Sequence, residues 1–130
     1  MSITEYAYEK VTHAKLLKCL KWCKGAYQLH SWEFDLVTGG EVPQEFADDA
    51  SAPSSLGRTL IKKRPKKAVV WVNIPLHISE NENPYCTLVH EMLHIMYKNV
   101  RSEEERIETL ESGQYRLFCV VNKIKEAKKK

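Results

Sequence analysis

His90, Glu91 and His94 stand in the run VHEMLHIM, two histidines four residues apart with a glutamate directly after the first. In an α-helix a spacing of four returns to the same face one turn on, so both imidazoles can reach a single cation. Zinc takes such nitrogens readily, and a third protein ligand leaves one tetrahedral position for water. The cation lowers the pKa of that water to about 7, and a nearby carboxylate can take its proton as it attacks a carbonyl. The HExxH pattern therefore predicts a zinc centre with His90 and His94 as ligands and Glu91 as general base, then acid. That chemistry needs a helix. Asn83-Pro84 ahead of an apolar run supplies a cap and a first-turn proline, which predicts one over 84–98.

The third ligand has to come from elsewhere. No histidine follows His94, and Asn99 and Val100 lie where an HExxHxxGxxH extension would continue. The downstream candidates are the carboxylates Glu103, Glu104, Glu105, Glu108 and Glu111. Ser102 with Glu105 reads as a capping box opening a further helix, with Ile107, Leu110, Gln114, Leu117 and Val121 on one inward stripe. With Glu105 engaged in capping, the turn before that stripe directs Glu103 or Glu104 the same way. Glu108 lies one turn beyond Glu104 and could orient a ligand histidine. Glu104 is the favoured third ligand, Glu108 the next choice and Glu111 the third.

The remaining elements have to position that helix. Residues 4 to 24 carry Tyr6, Val11, Leu16, Leu17, Leu20 and Trp22 at near-helical spacing, and Gly25 is placed to stop the helix. Residues 26–37 are aromatic and branched enough to read as a strand. Residues 39–55, rich in Gly, Pro, Ser, Ala and Asp, read as a flexible loop and a possible lid. Its EFADD segment could compete for the metal in a self-inhibited form. Residues 56–63 and 68–74 read as a hairpin turning at Arg64-Pro65, with Pro75 ending the second strand. Residues 76–83 read as a polar connection. The order α-β-β-β-α-α predicts a single α+β domain over 1–130, with a small three-stranded antiparallel or mixed sheet and a basic tail at 123–130.

Composition narrows the class. At 130 residues, 43% hydrophobic and 28% charged, the chain fits one ordinary globular domain. No apolar run approaches the roughly 20 residues of a membrane helix, and MSITEYAYEK lacks the features of a secretory leader. A cytoplasmic location without membrane contact is the expectation. Cys19, Cys23, Cys86 and Cys119 are too scattered for a disulfide framework and read as reduced thiols. The net charge of +3 is unevenly spread, with lysines along the first helix, in KKRPKK and in the tail. Such patches are ordinarily solvated surface. They also motivate an alternative reading, a non-catalytic module contacting nucleic acid or a DNA-associated partner.

These motifs resemble those of the zincin metallopeptidases, and within them the gluzincin type, in which HExxH is joined by a glutamate on a separate helix. There the ligand glutamate is often followed by an acidic residue four positions on, as Glu108 follows Glu104. Residues 68–118 are most similar to small HExxH proteins common in phage and bacterial genomes, in the parts AVVWVNIPL, TLVHEMLH and SEEERIETLESGQYRLF. The link from His94 to the acidic helix is shorter than in thermolysin-like enzymes. The resemblance implies a zinc-dependent peptidase acting on a peptide or protein substrate. It also implies that a sheet edge over Val69 to Ile74 aligns the substrate backbone, with Val69, Trp71 and Asn73 as its binding residues. Peptide deformylases share HExxH, but Cys86, one turn before His90, lacks the context of their cysteine ligand.

Overall fold

The computed structural model describes residues 6–63, 65–97 and 103–124, without the side chains of Lys63, Glu104 and Glu105. The expected capping box at Ser102 and Glu105, and residues 125–130 of the basic tail, lie outside that description. The elements run α1 (His13–Ala26), β1 (Glu33–Val37), two short 3₁₀ turns (Gln44–Phe46 and Ala52–Ser54), β2 (Gly57–Lys63), β3 (Lys66–Val72), α2 (Ile74–Glu80), α3 (Pro84–Met96) and α4 (Glu103–Val121). The α+β class and the small mixed sheet agree with the sequence reading.

The sheet is ordered β1-β3-β2, with β1 parallel and β2 antiparallel to β3. The central strand, β3, has the near-continuous apolar sequence KKAVVWV that burial on both faces requires. Its pleat divides the core. Ala68, Val70 and Val72 join the main cluster with α1, α3 and α4, while Val69 and Trp71 face a second cluster with Phe46 and Ala52.

Thr12 caps α1, its hydroxyl accepting from the Lys15 amide, and the spacing of Leu16, Cys19, Leu20 and Cys23 puts all four against the core. The helix starts later than expected because residues 6–12 are not helical. It also runs through Gly25 to Ala26. Residues 27–32 are a turn rather than strand, closed by Leu29 N–H donating to Lys24 O and by Gln28 at φ 57°. A hydrogen bond from the Cys19 thiol to Cys23, and then burial, hold the Cys19 thiol well above the usual range. All four cysteines are thiols.

Residues 39–55 carry more order than a flexible loop. Trp71 Nε1 donates to Gly39 O at 2.8 Å, Phe46 stacks on Trp71 with ring centroids 6.3 Å apart, and Ala52 is fully buried. Asp49 accepts from both the amide and hydroxyl of Ser51 and meets Arg58 at 3.3 Å, so this acidic segment has partners away from the histidines. The polar connection at 76–83 is mostly α2: Asn73 caps it by accepting from the Leu76 amide, and Pro75 sits in its first turn, where a missing N–H costs nothing. Asn81 ends α2 at φ 57°. No helix among the described residues is long and apolar enough to cross a membrane.

Candidate metal centre

Helix α3 is held on three sides. Asn83 Oδ1 accepts from the Tyr85 amide at its start. Leu88, Val89, Met92, Leu93 and Ile95 are buried against the sheet and the neighbouring helices. His90 and Glu91, on another side of the helix, line a cavity of about 650 Å³. Its walls include Tyr8, Gly57, Glu82, Thr87 and Glu111.

The three expected residues meet as the HExxH spacing requires. One ligand atom from each of His90, Glu91 and His94 lies within 4.8 Å of the others, and no other such group of three occurs among the described residues. The two Nε2 atoms face each other at 3.2 Å. A tetrahedral cation with bonds of about 2.0–2.1 Å would separate two ligand nitrogens by about 3.3–3.4 Å. The ring geometry therefore fits one shared cation.

The far side of each ring is engaged as well. His90 Nδ1 is 3.0 Å from Glu111 Oε2, and His94 Nδ1 is 2.9 Å from Glu103 Oε1. With each Nδ1–H donating to its carboxylate, both Nε2 lone pairs point into the space between the rings, a carboxylate–histidine arrangement that raises ligand basicity. Glu91 is 8% exposed, and Thr59 Oγ1–H donates to its Oε1 at 2.8 Å.

Both supporting carboxylates come from α4, for a reason that corrects the expected stripe. Ile107, Tyr115, Phe118 and Cys119 are the buried residues among the described side chains of this helix, whereas Leu117 and Val121 are 45% and 57% exposed. The large rings pack against Tyr85 and Trp22, with centroid separations of 5.3 and 5.6 Å for Tyr115 on Tyr85 and Phe118 on Trp22. Burying those rings turns α4 so that Glu103, Ile107 and Glu111, spaced by four, face α3. Glu108 is exposed and joins no metal-distance group. The favoured ligand, Glu104, is among the side chains not described.

The expected substrate strand also needs correction. β3 is central, with both backbone edges paired, so it cannot accept a further strand. Val69 and Trp71 are buried on the sheet face away from α3, and Asn73 is the cap of α2. The edge beside the cavity is β2. His77 is fully buried between Asn73 O and Thr87 Oγ1, at 2.6 and 2.7 Å, and does not reach the histidine pair. Burial pushes its pKa down. Thr59 has no role in the sequence reading, and Glu103 and Glu111 appear there as candidate metal ligands rather than as partners of the histidines. The i+4 spacing of Glu103, Ile107 and Glu111 was the signal that could have singled out that pair.

Comparison of the chain with protein-family models, with curated proteins and with solved structures yields no match. The geometry of the site stands by itself: an α+β domain with a His-Glu-His group at metal-binding distance, two of whose members, His90 and Glu91, line an open cavity.

Proposed function

We propose that the protein is a zinc-dependent peptidase of the gluzincin-like kind. The observation that carries this reading is the convergence of His90 and His94 Nε2 at 3.2 Å, with each opposite Nδ1 on a carboxylate and Glu91 beside them. Two imidazoles and a carboxylate suit zinc among the common divalent ions. Glu104 is the proposed third ligand: position 104 precedes Glu111 by about two helical turns and so shares its face of α4. When bound, such a cation polarises a carbonyl and lowers the pKa of a water.

The chain's own residues do the rest. Glu91 takes the water's proton and returns it to the leaving amine. Glu103 and Glu111 hold the two imidazoles in the tautomer with Nε2 unprotonated. The cavity, open and about 650 Å³, admits an extended peptide segment along the β2 edge.

The test is Glu91→Gln, assayed by metal analysis and by cleavage of denatured casein and a quenched-fluorescent peptide library. Zinc should bind to wild type and variant alike, and cleavage should fall by about 10²–10⁴-fold in the variant. Undiminished cleavage by the variant, or by chelator-treated wild type, would refute the reading.

A second reading, a non-catalytic module that contacts nucleic acid, is motivated by the exposed Lys62 and Lys66 beside the β2–β3 turn. Lys67 in the same cluster already meets Asp35 at 3.1 Å. Binding of duplex or single-stranded DNA that weakens steeply with salt would support it.

A further inference from the structure

We propose that Thr59 is a positioning residue that fixes the carboxylate of Glu91, an inference whose catalytic consequence rests on the peptidase reading. The pleat of β2 turns alternate side chains toward α3: Ile61 packs in the main core cluster, while Leu60 packs on the other face of the sheet. Gly57, Thr59 and Ile61 therefore make up the face of the strand that meets α3. Thr59 is the one polar side chain of the three, and its Oγ1 lies 2.8 Å from Glu91 Oε1.

The hydroxyl has one proton to give. Its distance to Glu91 O is 3.5 Å, at the limit of a hydrogen bond, so the proton goes to the carboxylate. Gly57, two residues earlier, leaves room for the same side chain. A Cβ there would stand 3.4 Å from Glu91 Cγ and 2.6 Å from Thr87 Cγ2. The strand thus holds the carboxylate by a hydrogen bond at its tip and leaves space beside its stem at Gly57.

A glutamate has three rotatable side-chain bonds, and a general base must meet its proton at about 2.6–3.2 Å. Displacement of a reacting group by about 1 Å costs about a hundredfold in rate. A hydroxyl on a paired β-strand, anchored independently of α3, removes that freedom before substrate arrives. It acts through Glu91 and touches no reacting atom itself.

Thr59→Val keeps the shape and deletes the donor, and Thr59→Ser keeps the donor. Thr59→Val should lower kcat by about 10–100-fold with KM within about twofold and zinc content unchanged. Thr59→Ser should restore most of kcat. In zinc-free protein, the Glu91 carboxyl carbon resonance should move and broaden in Thr59→Val and return toward wild type in Thr59→Ser. A Thr59→Val protein with wild-type kcat and an unmoved resonance would overturn the inference, as would equal losses in both variants. Should wild-type protein cleave nothing, the peptidase reading fails. The resonance then still decides whether Thr59 holds the carboxylate.

Discussion

Glu111 Oε2 stands 3.0 Å from His90 Nδ1, while Nε2 of the same ring faces His94 Nε2 at 3.2 Å. The ring is thereby oriented from one helix toward a point defined by another. Carboxylates that hold ligand histidines in this way typically contribute about 10–100-fold in metal affinity. Glu111→Ala should weaken zinc binding by that factor, measured by competition with a chromophoric chelator. Glu103→Ala should act similarly through His94, whose Nδ1 it meets at 2.9 Å. An unchanged affinity in both variants would remove the supporting role.

A sharper contrast separates the two carboxylates favoured from sequence. Glu108 is exposed, and its replacement by alanine should leave zinc affinity within about twofold of wild type. Glu104→Ala should cost more than Glu111→Ala, because loss of a ligand removes a metal bond rather than its support. Equal, small effects at 104 and 108 would take the third ligand away from α4's first turns.

How much of this was legible beforehand depends on where the signal lay. The HExxH helix was readable because cap, proline and apolar flanks all lie within one local run, and α3 begins at Pro84 behind its Asn83 cap. The hairpin was readable from its apolar second strand and the turn residues between the strands. The inward face of α4 was not, because Leu117 and Val121 compete in the pattern with Tyr115 and Phe118, and only packing against Tyr85 and Trp22 decides between them. That rotation gave the histidine-orienting role, expected of Glu108, to Glu103 and Glu111. The strand order was hidden for a similar reason. β1 pairs in parallel with β3 across the intervening β2, a non-local choice no short window records.

Gly57 sits where β2 faces Thr87 and Glu91 of α3. A methyl group there would stand 2.6 Å from Thr87 Cγ2 and 3.0 Å from the Trp71 carbonyl oxygen, and the second neighbour is backbone within the sheet. Gly57→Ala should destabilise the fold by about 1–3 kcal/mol, the usual cost of overpacking. Thr87→Ser removes the nearer clash and should recover part of that loss in the double variant. Chemical denaturation of the four proteins measures the coupling. Strict additivity would show that the two positions do not meet.

Phe46 pins residues 39–55 to the sheet face opposite α3 by stacking on Trp71. Phe46→Ala should cost about 3 kcal/mol and open this segment to limited proteolysis. Because α3 lies across the sheet from it, zinc affinity should stay at the wild-type value. A rise in peptidase activity instead would mean that the segment restrains the cavity, whose lining includes Ser54 and Ser55.

His77 gives the fold a defined response to acid. Its ring is fully buried, with Nδ1–H donating to Asn73 O and Nε2 accepting from the Thr87 hydroxyl. Burial, partly offset by the bond to Asn73, holds its pKa below the ordinary 6.5. In the unfolded chain the imidazole titrates near that ordinary value. Below it the unfolded state binds a proton that the folded state does not, so stability rises with pH across this window. The full contribution is present above the unfolded pKa and is lost as pH falls from there toward the folded pKa. His77→Gln removes the titration while leaving a side chain that can bond Thr87. Denaturation of the zinc-free proteins between about pH 5 and 7.5 should show wild type losing stability faster than the variant as pH falls, by up to about 1.4 kcal/mol per pH unit. Parallel profiles would mean that the imidazole takes up its proton as readily in the folded protein as in the unfolded chain.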